Sequence, residues 1–223
     1  MLTWKSAMLR IVMLTAFTSP AFALDQDETH FCRNGAFADE AAITPMRVVG
    51  AGRIYLRWDG GSQEGCPGLD ACQHGYVVAG QDVLAGKRLG EFVCAYYAPS
   101  GSAGFVPAAA LAPMAAAPPA SLSDWVGHWS IDRDEDATID ISMHNGALAA
   151  EGEAYWPGRH ASRDPNEGGF GGTGTPNTGR LNVREDGCEV SMRRVGAYLI
   201  ATDNSECGGA NVRFNGVYSR ISR

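Results

Sequence analysis

The chain has 223 residues and a formal net charge of −7 at pH 7. An acidic balance excludes a protein that grips nucleic acid by its phosphates, which needs a basic surface. Hydrophobic residues at 45 % exclude wholesale disorder, and 28 glycines with 11 prolines point to many turns between short strands rather than to long helices.

Residues 1–23 read MLTWKSAMLRIVMLTAFTSPAFA. Lys5 and Arg10 give a positive start, an apolar run follows, Pro20 breaks it, and Ala21 and Ala23 are the small residues before a cut. These are the parts of a secretory signal peptide. The apolar run is shorter than the about 20 residues of a membrane span. The expected mature protein is periplasmic or secreted, has no membrane span and binds no nucleic acid. Its removal takes Lys5 and Arg10 and no acid, so the charge moves from −7 to −9.

Six cysteines in an exported chain read as disulfides. No CxxC pair is present, so neither a thioredoxin motif nor a zinc knuckle is expected. Residues 107–120, PAAALAPMAAAPPA, interrupt any helix with Pro113, Pro118 and Pro119 and read as a linker. The predicted organisation is a signal over 1–23, a first domain over 24–112, a linker over 113–122 and a second domain over 123–223. That boundary leaves Cys188 only Cys207 as partner. The other four cysteines allow three pairings, of which Cys32–Cys94 with Cys66–Cys72 is favoured.

In the first domain, strands are predicted over 46–49, 53–58, 76–79, 83–84, 91–98 and 104–106, with a turn over 101–104. Residues 76–111 carry YVVAG, VLAGKR and EFVCAYYAPSGSAGFVPAAAL. This order resembles bacterial SH3-like (SH3b) domains, with Phe105 where that family commonly has a tryptophan before a one-turn 3₁₀ helix. The resemblance implies an SH3-like barrel and cell-wall peptide binding. Exposed aromatics are then the binding candidates: Trp58, Tyr97 and Phe105.

In the second domain, strands are predicted over 129–132, 137–143, 147–156, 180–183, 188–194, 198–201 and 212–219. Asn145-Gly146 and Asp186-Gly187 mark two-residue hairpins. Successive hairpins over about 100 residues predict a small closed antiparallel barrel of about eight strands, without exposed edges and hence monomeric. The expected fold class is therefore all-β: an SH3-like barrel followed by a small antiparallel barrel. The glycine-rich residues 166–179 are expected to form a long loop. Residues 124–129, DWVGHW, and the ending GVYSRISR resemble calycin (lipocalin-like) barrels, which open on Gly-x-Trp and lay a late arginine over the indole. The resemblance implies that Trp129 and Arg220 pack together, beside Gly127. Residues 199–220, LIATDNSECGGANVRFNGVYSR, are similar to the closing segment of exported proteobacterial proteins, some of them grouped near lysozyme-inhibitor-like proteins. Here Gly208 and Gly209 are expected at positive φ, in a turn that Cys207 staples to close the barrel.

No HExxH, GxSxG or phosphate-loop motif is present, and pairing all six cysteines leaves no thiol nucleophile. Residues 132–136, DRDED, lack the later glycine and glutamate of a calcium loop. Glu151 and Glu153 share one strand face, more as a solvated face than as a glycosidase pair. Arg159, His160 and Arg163 sit beside Tyr155 and Trp156, which makes Trp156, Arg159 and His160 candidate ligand residues. The expected function is non-enzymatic: a cofactor-free envelope protein binding a cell-wall component or a partner protein. The alternatives are an inhibitor of a cell-wall hydrolase and a carrier of an apolar ligand or haem.

Overall fold

The computed structural model describes residues 31–34, 43–61, 64–115, 119–131, 136–157 and 165–221. Residues 1–23, read above as a signal, residues 132–135 of the DRDED run, and Arg159, His160 and Arg163 lie outside them. Among the described residues, no helix is long and apolar enough to cross a membrane. The chain is all-β, in two antiparallel sheets.

The first sheet contains β1 (Thr44–Val48), β2 (Arg53–Arg57), β3 (Gln73–Val78), β4 (Asp82–Leu89), β5 (Phe92–Tyr97), β6 (Ser102–Pro107) and β7 (Leu111–Pro113). Their order is β3-β2-β6-β5-β4-β1-β7. Alternation along β5 sends Ala95 to one core, with Leu56, Val77, Val83 and Val106, and sends Cys94 and Tyr96 to another. The expected turn over 101–104 is instead a 3₁₀ turn, Ala98–Ser100, closed by Gly101 in the left-handed region at φ 66°. A second 3₁₀ turn, Ala108–Ala110, leads into β7, which pairs with β1 and draws Pro113 out of the linker into the sheet.

A one-turn helix, α1 (Leu122–Trp125), opens the second half. Its start is fixed by a capping box, in which Ser121 N–H donates to the Asp124 carboxylate at 2.7 Å. Eight strands follow: β8 (Gly127–Ser130), β9 (Ala137–His144), β10 (Ala147–Trp156), β11 (Asn166–Gly174), β12 (Arg180–Glu185), β13 (Cys188–Val195), β14 (Tyr198–Asp203) and β15 (Gly216–Ile221). The order β11-β10-β9-β8-β15-β14-β13-β12 joins the first strand to the last and leaves one unpaired seam, between β11 and β12. The barrel is thus nearly closed. Both predicted hairpins form, with Asn145 and Gly146 at φ 49° and 81° and Asp186 and Gly187 at 45° and 96°. Trp129, Ile139, Leu148, Phe170, Leu181, Met192, Phe214 and Tyr218 fill the interior.

Strand β11 corrects the expected loop over 166–179. Glycine hides strand periodicity because it has no side chain to alternate, yet here it allows close approach. A Cβ on Gly152 would meet the Phe170 ring at 2.2 Å, and one on Gly172 would meet Val183 Cγ1 at 2.8 Å across the seam. The closing loop covers the same seam. Gly169 N–H donates to Cys207 O at 3.0 Å, Gly209 N–H to Glu167 O at 3.1 Å, and Asn166 Nδ2 to Ala210 O at 2.7 Å. Gly208 and Gly209 are absent from the positive-φ residues; Ser205 and Asn211 make those turns, at 70° and 67°. Gly208 is needed for contact instead, since its Cβ would lie 2.5 Å from Gly168 Cα. A Cβ on Gly168 would lie 2.3 Å from Cys207 O. Gly168→Ala is therefore expected to cost about 1–3 kcal/mol by overpacking, read as a lower urea midpoint with unchanged slope.

Three disulfides form: Cys32–Cys94, Cys66–Cys72 and Cys188–Cys207, with S–S distances of 2.08, 2.10 and 1.99 Å. The two sheets share a core. Ile200 and Val217, a cross-strand pair on the outer side of the barrel, pack with Cys32, Cys94, Tyr96 and Phe105. Asn34 ties the same junction, accepting from Val217 N–H at 2.7 Å and donating to Val217 O at 3.4 Å.

Candidate functional site

The most preorganised exposed aromatic group lies at the end of β2. Register shifts between Leu56 and Arg57, and the chain leaves the sheet with Trp58 N–H bonded to Cys72 O at 2.8 Å. Trp58 is 46 % exposed, yet its ring stacks on His74 with centroids 3.8 Å apart and planes 23° from parallel. The loop beneath is held twice: by the Cys66–Cys72 disulfide, and by Arg57, whose Nη1 donates to Pro67 O at 3.1 Å and Leu69 O at 3.0 Å. Asp59, 2 % exposed, accepts from Cys32 N–H at 3.2 Å and Arg33 Nε at 3.0 Å. An indole fixed this way loses little entropy on binding, the condition for a stacking platform.

His74 fits this place because residue 104 is glycine. A Cβ there would stand 2.8 Å from His74 Nε2. That nitrogen is buried without a hydrogen-bond partner. Burial lowers the His74 pKa below its ordinary 6.5, opposed by a bond to the Ala103 backbone. Below pH 6.5 the unfolded chain takes up a proton that the folded chain resists, so this histidine makes stability fall with falling pH. We expect His74→Phe to flatten that slope between pH 6.5 and the lower folded value, measured by urea denaturation in a pH series.

The other sequence candidates are dispersed. Tyr97 is half-buried, and its hydroxyl accepts from Gln81 Nε2 at 2.6 Å. Phe105, at 0 % exposure, belongs to the core shared by the two sheets and has no face toward solvent. Its place on β6, opposite Cys94 of β5, turns it inward. Trp156 is half-buried against the barrel core. Arg159 and His160 lie outside the described residues. Arg220 Cζ lies 4.7 Å from the Trp129 ring centroid, and Arg194 Cζ lies 4.5 Å from it.

A second feature escaped the sequence reading. An open trough of about 590 Å³ runs over β10 and β11. Gly169 and Gly171, opposite Glu153 and Glu151, form its floor, while Glu167, Glu185 and the exposed Tyr155 complete its walls. Its signal was the Glu-x-Glu spacing opposite a glycine run, legible only once β11 is known to be a strand. Tyr55 and Tyr76 were likewise missed; they pair across β2 and β3, edge to face, with centroids 6.4 Å apart. Among the described residues, no group of three or more His, Cys, Asp or Glu is placed to hold a metal ion.

Comparison with family models, curated proteins and solved structures gives no match for this chain. Its class is thus defined by the fold: a disulfide-tied all-β protein of two antiparallel sheets.

Proposed function

We propose that this is an exported, non-catalytic binding protein of the bacterial cell envelope, and that Trp58 on the first sheet is its contact with a cell-wall component. The observation that carries this reading is the Trp58–His74 stack, a large exposed ring held rigid by its surroundings. Rigid indoles are the usual anchors of binding surfaces. The signal segment, the three disulfides and the SH3-like resemblance support the address and the module. The one-turn 3₁₀ helix Ala108–Ala110 after β6 is also what that resemblance leads one to expect. The barrel interior is filled by Trp129, Phe170, Met192, Phe214 and Tyr218, which favours surface binding over an enclosed apolar ligand or haem.

Co-sedimentation with purified peptidoglycan sacculi tests the reading. The wild type is expected in the pellet, and Trp58→Ala in the supernatant, because aromatic hot spots cost about 2 kcal/mol or more on truncation. Wild-type protein left in the supernatant would sink it.

The trough favours a second reading. Its four carboxylates around a glycine floor suit a basic protein, and inhibition of a basic cell-wall hydrolase is the concrete form. A lysozyme inhibition assay separates the two, with Glu153→Lys expected to abolish any inhibition while leaving sacculus binding intact.

A further inference from the structure

The first sheet has two edges, and they differ. At one edge, β7 has three residues and ends on Pro113, which offers no N–H. At the other, β3 runs for six residues, Gln73–Val78, with neither a lysine, a carboxylate nor a proline to discourage pairing. Tyr76 and Val78 are 49 % and 36 % exposed on the same side of it. Val78 N–H donates to Gln81 Oε1 at 2.8 Å, and Gln81 N–H to Val78 O at 3.2 Å, so the polar backbone groups of Val78 point away from β2. Antiparallel alternation gives Tyr76, two residues earlier, the same outward direction. Gln81 thus ends the edge at Val78 and leaves the N–H and C=O of Tyr76 presented to solvent.

Charge completes the picture. Arg53 stands opposite Val78, and its guanidinium lies 4.5 Å from the Tyr76 ring centroid. Among the described residues it has no carboxylate partner, unlike Arg47 with Asp82 and Arg57 with Asp70. An extended strand laid on β3 would pass beneath an exposed tyrosine and bring its side chains to a cation that, among the described residues, contacts a ring but no carboxylate.

We propose that the β3 edge is a second binding site, independent of Trp58, which takes an extended acidic peptide segment of a partner protein as an added antiparallel strand through the outward backbone groups of Tyr76, with Arg53 pairing its carboxylate. In this mode main-chain bonds supply affinity and the flanking side chains supply selectivity.

The test uses the mature, oxidised protein and a fluorescein-labelled peptide of about eight residues alternating Val or Thr with Glu, a length typical of strands. Anisotropy titration compares it with the same peptide N-methylated at alternate amides and with a Lys-for-Glu version. Binding of the acidic peptide, weakened about tenfold by N-methylation or by lysine, supports the site. Tyr76→Pro, which removes the outward N–H without touching the β2 ladder, should abolish binding. Arg53→Glu should transfer preference to the lysine peptide, and it keeps the test decisive if the proline variant does not fold. Trp58→Ala should bind the peptide as the wild type does, so failure here is distinct from failure of sacculus binding. No binding, or binding indifferent to N-methylation, overturns the proposal. So does a concentration-dependent dimer in light scattering that Tyr76→Pro dissolves, because a second copy is then the occupant.

Discussion

Replacing Trp129 with alanine is expected to lower the free energy of unfolding by about 3–5 kcal/mol, the range for deleting a large aromatic from a packed core. Trp129 is fully buried on β8, the strand that joins β15 to close the circuit of the barrel. Its indole Nε1–H donates to Trp125 O at 2.9 Å, which fixes α1 against the barrel end. Two guanidiniums lie over the ring, each such contact worth about 0.5–2 kcal/mol. Without the ring they would face each other across a hole. Arg194 is already strained in that sense: burial, and then the neighbouring Arg220, pull its pKa down to about 10. Its Nε and Nη1 are buried without hydrogen bonds, so the indole joins the Nη2 bond to Gly196 O at 2.7 Å and the nearby Asp124 carboxylate in compensating its charge. Glycine at position 127 belongs to the same arrangement, because a Cβ there would stand 3.0 Å from Arg220 Nε at a φ of +150°. Thermal and urea unfolding should both report the loss. A change under about 1 kcal/mol would mean that the barrel end collapses around the gap.

Removing the Cys32–Cys94 disulfide by the double substitution Cys32→Ser, Cys94→Ser is the second large effect. The bridge closes 62 residues of chain, for which loop entropy gives about 4 kcal/mol. The structural consequence reaches further than the first sheet. Cys32 is followed by Arg33, bonded to Asp59, and by Asn34, bonded to Val217 on β15. One short segment therefore holds β5, the Trp58 loop and the barrel together. The double variant is expected to unfold at lower urea and to exchange the Val217 amide faster, whereas loss of Cys66–Cys72, which spans six residues, should leave that amide protected. Equal Val217 protection in both variants would show that the shared apolar core alone holds the junction.

Sequence reasoning succeeded where a short stretch carries its own geometry. Asn145-Gly146 and Asp186-Gly187 demand left-handed φ and make two-residue hairpins whatever surrounds them. A boundary near the Ala/Pro stretch left Cys188 only Cys207, while Cys32–Cys94 with Cys66–Cys72 was the favoured one of three remaining pairings, and all three bridges form. It failed where the cause lies across the fold. The glycines of β11 are explained by Phe170, Val183 and the closing loop, none adjacent in sequence. Phe105 looked like a surface aromatic because nothing local reveals that Ile200 and Val217 of the barrel cover it. A hint was present in Leu199-Ile200-Ala201, a run apolar on both faces, which is the pattern of a strand buried on two sides. Of the candidate site, Trp58 was legible as an exposed aromatic, while His74 was not. Its role depends on a register shift in β3 and on the space left by Gly104.

The claim that Trp58 is the wall contact is tested most directly by following indole N–H resonances while soluble muropeptides are added to the oxidised protein. Trp58 should move in a saturable way, while Trp125 and Trp129, 1 % and 0 % exposed, stay fixed. A Trp58 resonance that does not move, with or without changes elsewhere, would contradict the account.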